Sequence, residues 1–157
     1  MSRQQFCKLV AAIGILAVTL YAADSPFVGT WKINVAKSKF GPGAPTVKSA
    51  TVKTEVDGES LKTTVEGVDG NGGPISYVAS LPRDGKPGAV TGSATADAMS
   101  AKMVNDHTMT VTATKGGKTV YTDRRTVSKD GKTITVHRSG VLSDGKKYES
   151  TYVADKQ

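Results

Sequence analysis

Tight-turn dipeptides recur along this chain at short, nearly regular intervals, and they constrain its fold more than any other feature. Aspartate, asparagine and glycine tolerate the positive φ angles that short hairpin loops need, and the segments between the dipeptides are rich in alternating Thr and Val. The pattern therefore predicts short antiparallel strands joined by hairpins. The turn dipeptides are Asp57-Gly58, Asp69-Gly70, Asp84-Gly85, Asn105-Asp106, Gly116-Gly117, Asp130-Gly131 and Asp144-Gly145.

About ten strands are predicted between these turns, and no helical pattern of useful length appears. The stretch from Phe40 to Pro45, rich in Pro and Gly, is expected to connect two strands rather than two domains. A single up-and-down antiparallel β-barrel accommodates this arrangement. The predicted strands are 28–34, 46–56, 60–67, 74–82, 87–92, 97–104, 108–115, 118–128, 132–141 and 146–154.

The N-terminal segment has the composition of an export signal. Arg3 and Lys8 precede an apolar run over 9–20, and a run of about a dozen residues is shorter than the roughly 20 that a membrane-spanning helix needs. We therefore expect residues 1–23 to be a cleaved signal peptide and residues 24–157 to form the barrel domain. The protein is then exported to the periplasm or the cell exterior, with no stable membrane insertion after cleavage.

The expected mature domain has few groups for covalent or metal chemistry. The only cysteine, Cys7, lies in the signal, which excludes disulfides and thiolate metal sites. His107 and His137 have no spaced carboxylate or second histidine to complete a metal site, and catalytic elbow and phosphate-loop motifs are absent. We expect no catalytic residues, no metal, no cofactor and no enzyme activity. Haem binding would require His137 to face inward, and acid–base chemistry would require Tyr121 and Asp123 to share a closed pocket.

The chain is basic, with 21 lysines and arginines against 14 aspartates and glutamates and a net charge of +7. Most lysines stand beside turns, where positive charge keeps a protein soluble and discourages strand edges from pairing. Nucleic-acid binders instead concentrate such charge on one face with aromatic residues between. We therefore expect no nucleic-acid partner.

The residue pairs counted outward from the predicted hairpin turns place charged residues inside the barrel. A two-residue loop at Asp130-Gly131 places Arg125 opposite Val136 and Asp123 opposite Arg138, on the face expected to form the core. An unpaired charge inside a barrel costs several kcal/mol. The group is therefore either a structural cross-strand salt bridge or part of a binding site.

The preceding hairpin conflicts with this register. A plain two-residue loop at Gly116-Gly117 pairs Met109 with Arg124, which would put Arg124 inward instead of Arg125. A β-bulge between the two hairpins resolves the conflict. We expect Arg125 to be the internal arginine.

Two other hairpins give further expectations about the interior. A two-residue loop at Asp57-Gly58 pairs Thr54 with Leu61 on an apolar, inward face. A two-residue loop at Asp144-Gly145 pairs Val141 with Tyr148. In that second hairpin a bulge at Gly140 would bring Val141, Tyr148, Ser150 and Tyr152 to the interior beside Arg138, and without the bulge they would face solvent.

Three stretches resemble the calycin group, particularly the lipocalin-like and fatty-acid-binding-protein-like barrels of bacterial exported proteins. Residues 27–32, with sequence FVGTWK, look like the opening strand of that group. Residues 125–132 look like its late hairpin, and residues 152–157 resemble its closing strand. Within the opening stretch, Gly29 and Trp31 are expected to be structural, with Trp31 plugging the closed end rather than flooring a ligand cavity.

The resemblance implies a closed barrel that holds a fatty acid or another small hydrophobic or amphipathic molecule. It also implies that internal arginines and a tyrosine meet the polar head, with Arg138 substituting for an arginine that Ser150 replaces in the closing strand. The expected ligand-binding residues are Tyr121, Asp123, Arg125, Arg138 and Tyr152. The alternative is a filled barrel that acts through its surface as an envelope interaction or inhibitor protein, with a partner that the sequence does not name.

Overall fold

The barrel is formed by one antiparallel sheet whose first and last long strands pair with each other. A computed structural model describes residues 25–157, so the predicted signal peptide lies outside the described residues. The strands are β1 (Gly29–Ile33), β2 (Lys39–Phe40), β3 (Val47–Asp57), β4 (Ser60–Asp69), β5 (Pro74–Pro82), β6 (Gly88–Thr91), β7 (Ala98–Asn105), β8 (Thr108–Lys115), β9 (Lys118–Val127), β10 (Thr133–Val141) and β11 (Lys147–Lys156).

Ring closure depends on β1, which pairs with β3 on one side and β11 on the other. Trp31 stands opposite Val52 in one pair and opposite Lys156 in the other. The remaining long strands follow in chain order, which confirms the predicted all-β up-and-down barrel and all ten predicted strands. The additional β2 pairs with β11 through only two residues, too short for any periodic pattern in the sequence. A 3₁₀ turn (Val35–Lys37) lies between β1 and β2.

The antiparallel order divides the connections between two ends, here called the floor and the rim. The segment before β1 and the turns 58–59, 83–87, 106–107 and 128–132 lie at the floor. The connections 34–46, 70–73, 92–97, 116–117 and 142–146 lie at the rim.

The opening stretch closes the floor with aromatic side chains. Phe27 and Trp31 are both buried, and the indole Nε1 of Trp31 donates a hydrogen bond to the Phe27 carbonyl oxygen at 2.9 Å. Gly29 has a φ of +134°, and a Cβ there would lie 2.7 Å from the Lys156 side chain, which passes over the Trp31 ring. A glycine two residues before the tryptophan therefore adopts a φ that other residues rarely take and leaves room for the Lys156 side chain at the point of closure.

The β8–β9 and β9–β10 hairpins place Arg125 inside the barrel, as the sequence predicted. Arg138 stands opposite Asp123 and Val136 opposite Arg125. The β8–β9 ladder contains the expected bulge, between Ala113 and Thr114, and beyond it Met109 stands opposite Arg125. Arg124 is exposed on the outer face.

The register predicted for the β3–β4 hairpin is wrong by two residues. Thr54 stands opposite Thr63 rather than Leu61, because the loop consists of Gly58 and Glu59. Gly58 has a φ of +58°, the conformation that a type II′ turn requires at its first loop position. A shift of two residues keeps each side chain on the same face, so the predicted inward set is retained.

The predicted pairing of Val141 with Tyr148 is also wrong. The β10–β11 connection spans five residues and is closed by a hydrogen bond from the Leu142 N–H to the Lys146 carbonyl oxygen at 2.8 Å. Gly140 therefore stands opposite Tyr148 in a regular ladder, without a bulge. Val141 points outward with 46% of its surface exposed, whereas Tyr148, Ser150 and Tyr152 are buried.

Gly140 gives a test of this packing, because a Cβ at this position would collide with the Tyr148 ring and its hydroxyl. Gly140→Ala should lower the free energy of unfolding by about 1–3 kcal/mol, the usual cost of overpacking an interior. Chemical denaturation measures the change. Ser139→Ala, at the exposed neighbouring position, is the control and should change stability little. Equal stability of the two variants would contradict the packing described.

Candidate binding cavity

The barrel interior contains a cavity of about 420 Å³. It extends from Phe27 and Trp31 near the floor to Thr46, Ile75 and Ala94 at the rim. Trp31 therefore closes the floor and lines the cavity at the same time. Cavities of about 300–1,000 Å³ are typical of small-molecule sites, so the interior has room for a ligand.

Small inward side chains explain why the barrel is hollow. Ala50, Ala79 and Ala154 are buried and line the cavity at positions where leucine or phenylalanine would fill it. The chain is also poor in aromatic residues, at 6% of its length. The strands therefore enclose a volume that their own side chains do not occupy.

A cluster of three charged side chains occupies the wall formed by β9 and β10. The Asp123 carboxylate, with 0% of its side chain exposed, accepts hydrogen bonds from Arg138 Nε at 2.7 Å and Arg138 Nη2 at 3.0 Å. Arg125 Nη2 donates to the same carboxylate at 2.8 Å. We call Asp123, Arg125 and Arg138 the charged cluster.

The two arginines differ in how fully the carboxylate engages them. Arg138 binds both carboxylate oxygens, whereas both donors of Arg125 go to Oδ2 alone, the second at 3.3 Å. The side chains of Arg125 and Arg138 remain 14% and 19% exposed, and both line the cavity. Arg125 therefore meets only one carboxylate oxygen, whereas Arg138 meets both, and each arginine keeps free N–H donors beside the cavity.

Aromatic rings hold the Arg138 guanidinium in place. Its central carbon lies 3.7 Å from the centre of the Tyr121 ring and 5.1 Å from the centre of the Tyr152 ring. Such contacts stabilise a desolvated cation by up to about 2 kcal/mol. Tyr152 is itself fixed by an edge contact with Phe40 and by a hydrogen bond from its hydroxyl to the Pro45 carbonyl oxygen at 3.4 Å.

The cluster keeps one net positive charge at neutral pH. Burial opposes ionisation of Asp123, but the charges and hydrogen bonds of Arg138 and Arg125 outweigh it and lower the pKa of this carboxyl. Burial raises the pKa of the Tyr121 and Tyr152 phenols, so both stay neutral. Within the cluster, two guanidinium groups therefore face one carboxylate. The other acidic side chain that lines the cavity is Asp69 near the rim, whose carboxylate accepts hydrogen bonds from the Asn71 and Gly73 N–H groups.

The structure brings all five predicted ligand-binding residues to this cavity: Tyr121, Asp123, Arg125, Arg138 and Tyr152 line it together. Several other polar residues of the lining were not among them, including Thr54 and Thr63. The inward face of the β3–β4 hairpin already contained both, but threonine in a strand gives no signal that distinguishes a binding residue from a packing residue.

Neither histidine reaches the cavity. His137 is exposed and its Nδ1 lies 3.1 Å from the Thr151 hydroxyl on the outer face, while His107 stands in the turn between β7 and β8. Over residues 25–157 no group of three His, Cys, Asp or Glu side chains is arranged to hold a metal ion. Within the same residues, none of the helical segments has the length and apolar character needed to cross a membrane.

Comparisons with known proteins support the fold. No protein-family model matches the chain, and no curated protein sequence matches it. Among solved structures, an S-type phycobiliprotein lyase, CPES from Guillardia theta, aligns with a TM-score of 0.56 and 15% identity over 84% of this chain and 89% of its own.

Two further solved structures align less closely. The zebrafish ileal bile acid-binding protein complexed with cholic acid has a TM-score of 0.47 and 10% identity over 85% of this chain and 100% of its own. A redesigned β-barrel, mFAP1, bound to DFHBI has a TM-score of 0.46 and 13% identity over 83% and 95%. At these identities the likeness concerns the fold alone.

The closed ring of ten strands confirms the expected fold class, an up-and-down β-barrel, and the lyase structure shares this fold. In this chain, the class takes the form of a hollow barrel with a charged cluster on one interior wall.

Asp123 should be indispensable to stability, because its removal leaves two buried guanidiniums without a counter-charge. Asp123→Asn should destabilise the protein by about 3–5 kcal/mol. The triple variant Asp123→Leu with Arg125→Met and Arg138→Met should recover most of this loss, since apolar replacement of a whole buried ionic group is often nearly neutral. Urea denaturation of both variants measures the difference. Similar stability of Asp123→Asn and the wild type would contradict the geometry described.

Proposed function

We propose that the protein is an exported small-molecule carrier or receptor whose barrel holds a hydrophobic ligand with an anionic head, such as a fatty acid. The observation that carries this proposal is the net positive charge of the cluster on the wall of a largely apolar cavity. No enzyme activity is assigned, and the expectation that the protein is not an enzyme stays a prediction.

An excess charge in such a cavity favours an anion. A desolvated guanidinium without a counter-ion is unfavourable, and charge-assisted hydrogen bonds to a carboxylate are among the strongest available in a protein. Asp123 neutralises only one of the two arginines. A ligand carboxylate beside Arg125 would neutralise the other, while the apolar lining receives the hydrocarbon body.

The residues of the site then have distinct roles. Arg138 is held by both oxygens of Asp123 and by the Tyr121 ring, so its guanidinium contributes a fixed positive charge to the cavity wall. Arg125, with its free donors, is the residue that meets the ligand head. Tyr152 orients Arg138 from the rim side.

The alternatives have less support. A filled barrel that acts only through its surface does not account for a cavity of about 420 Å³ with an excess charge. Haem binding needs an inward histidine, and neither His107 nor His137 lines the cavity. A protein partner on the outer surface is compatible with a ligand inside.

Replacing Arg125 tests the proposed head-group contact. Arg125→Gln leaves Asp123 paired with Arg138 and should weaken binding of a fluorescent fatty-acid analogue about 10- to 100-fold, the value of one charged hydrogen-bonding group. Fluorescence titration measures the affinity. The methyl ester of the same probe should bind both proteins equally, because it has no charge to lose.

Arg124→Gln is the matched control, since Arg124 is the next residue on the same strand but faces solvent. It should leave the affinity unchanged. If Arg125→Gln bound the acid as tightly as the wild type, the proposed anion contact would be excluded.

Export is tested separately by expressing the full chain in a bacterium. The mature protein recovered from the periplasm or medium should begin near residue 24, as determined by N-terminal sequencing, because the apolar run of the predicted signal is followed by Ala22 and Ala23. Replacing Ile15 and Leu16, in the middle of the apolar run, by arginine should abolish export. Retention of Met1 in a protein that stays in the cytoplasm would contradict this part of the proposal.

A further inference from the structure

A second polar group faces the cavity from the wall formed by β3 and β4. Thr54 and Thr63 stand directly opposite each other, are both buried and both line the cavity. Their hydroxyl oxygens lie 3.3 Å apart and form a hydrogen bond in which either can be the donor. We call these two residues the threonine pair.

The threonine pair leaves one hydroxyl hydrogen without an acceptor. Each threonine hydroxyl has one donor, and the bond between the two uses only one of them. No other hydrogen bond involves either hydroxyl in the described structure. Because a buried donor without an acceptor is unfavourable, the free hydroxyl hydrogen favours an acceptor that enters from the cavity.

The threonine pair is a polar site among apolar neighbours on the same wall. The neighbouring inward residues on the same two strands, Val52, Leu61 and Val65, are apolar, and valine at either threonine position would keep the shape without the hydroxyl. The pair lies towards the floor, since Thr54 stands opposite Gly29 at the start of β1.

The threonine pair and the charged cluster lie on facing walls of the barrel. In the ring, β11 and β1 separate β10 from β3 on one side, and β5 to β8 separate β4 from β9 on the other. A ligand whose anionic head meets Arg125 can therefore extend its body across the cavity to the threonine pair.

We infer that the natural ligand is an amphipathic anion that carries a hydroxyl group on its hydrophobic body, and that the threonine pair binds this hydroxyl. The inference rests on the proposed function for the anionic head. A hydroxyl suits the pair because it can accept the free hydrogen and donate to the remaining lone pairs.

The test compares hexadecanoic acid with hydroxyhexadecanoic acids in which the hydroxyl is moved along the chain. Calorimetry or displacement of the fluorescent probe gives each affinity. At least one isomer should bind the wild type about two- to tenfold more tightly than hexadecanoic acid, the value of one net hydrogen bond. In the double variant Thr54→Val with Thr63→Val this gain should disappear, so that no isomer binds this variant more tightly than hexadecanoic acid does.

A matched control comes from Thr108 and Thr126, another cross-strand pair, with hydroxyls 3.4 Å apart, that does not line the cavity. Thr108→Val with Thr126→Val should leave the preference for the hydroxylated isomer intact. Thermal unfolding of both double variants checks that each is folded.

The methyl esters of the same compounds distinguish the two proposals. If acids bind no better than esters, the anionic head is wrong, yet a hydroxyl-dependent gain among the esters that the Thr54 and Thr63 variant removes would still support the threonine pair. The inference is overturned if no isomer in either series binds more tightly than its parent, or if the gain survives in that variant.

Discussion

The buried carboxylate of Asp123 is the interaction on which the interior of this barrel depends. It binds Arg138 through both oxygens and Arg125 through one, and all three side chains face inward from two adjacent strands. Without it, two guanidiniums would stand in an apolar interior at a cost of several kcal/mol. With it, the charged cluster keeps one excess positive charge at a defined place on the cavity wall.

The excess charge of the cluster lies beside an interior that the barrel's own side chains do not fill. Alanines at inward positions leave a cavity of about 420 Å³, and a cavity lowers stability because its lining loses packing contacts. An anionic amphipathic ligand would supply the missing apolar contacts through its body and the missing counter-charge through its head. The charged cluster and the hollow core are therefore complementary features of one site, and the threonine pair on the facing wall adds a third point of contact.

The accuracy of the predicted registers depended on where each turn dipeptide lies within its loop. Alternation along β9 and β10 and the turn at Asp130-Gly131 were sufficient to place Asp123 opposite Arg138. The β9–β10 and β10–β11 connections both span five residues. Asp130-Gly131 lies at the centre of the loop that Ser128 and Thr133 close, whereas Asp144-Gly145 lies off the centre of the loop that Leu142 and Lys146 close, so the second register was wrong. Periodicity determines which residues share a face, but the length and the centre of the loop determine the partners, and a dipeptide pattern gives neither.

By itself, the sequence determined the fold class, the number of ring strands and the inward position of the charged residues, because these follow from local turn chemistry and a period of two. Only the tertiary structure decided that the barrel is hollow, that Arg138 stacks on Tyr121, and that Thr54 and Thr63 face the charged cluster across the cavity. These properties depend on strands far apart in the chain that meet only when β1 pairs with β11. An alternating pattern identifies an inward residue but not the residue on the opposite wall, since that distance is set by the closure of the ring.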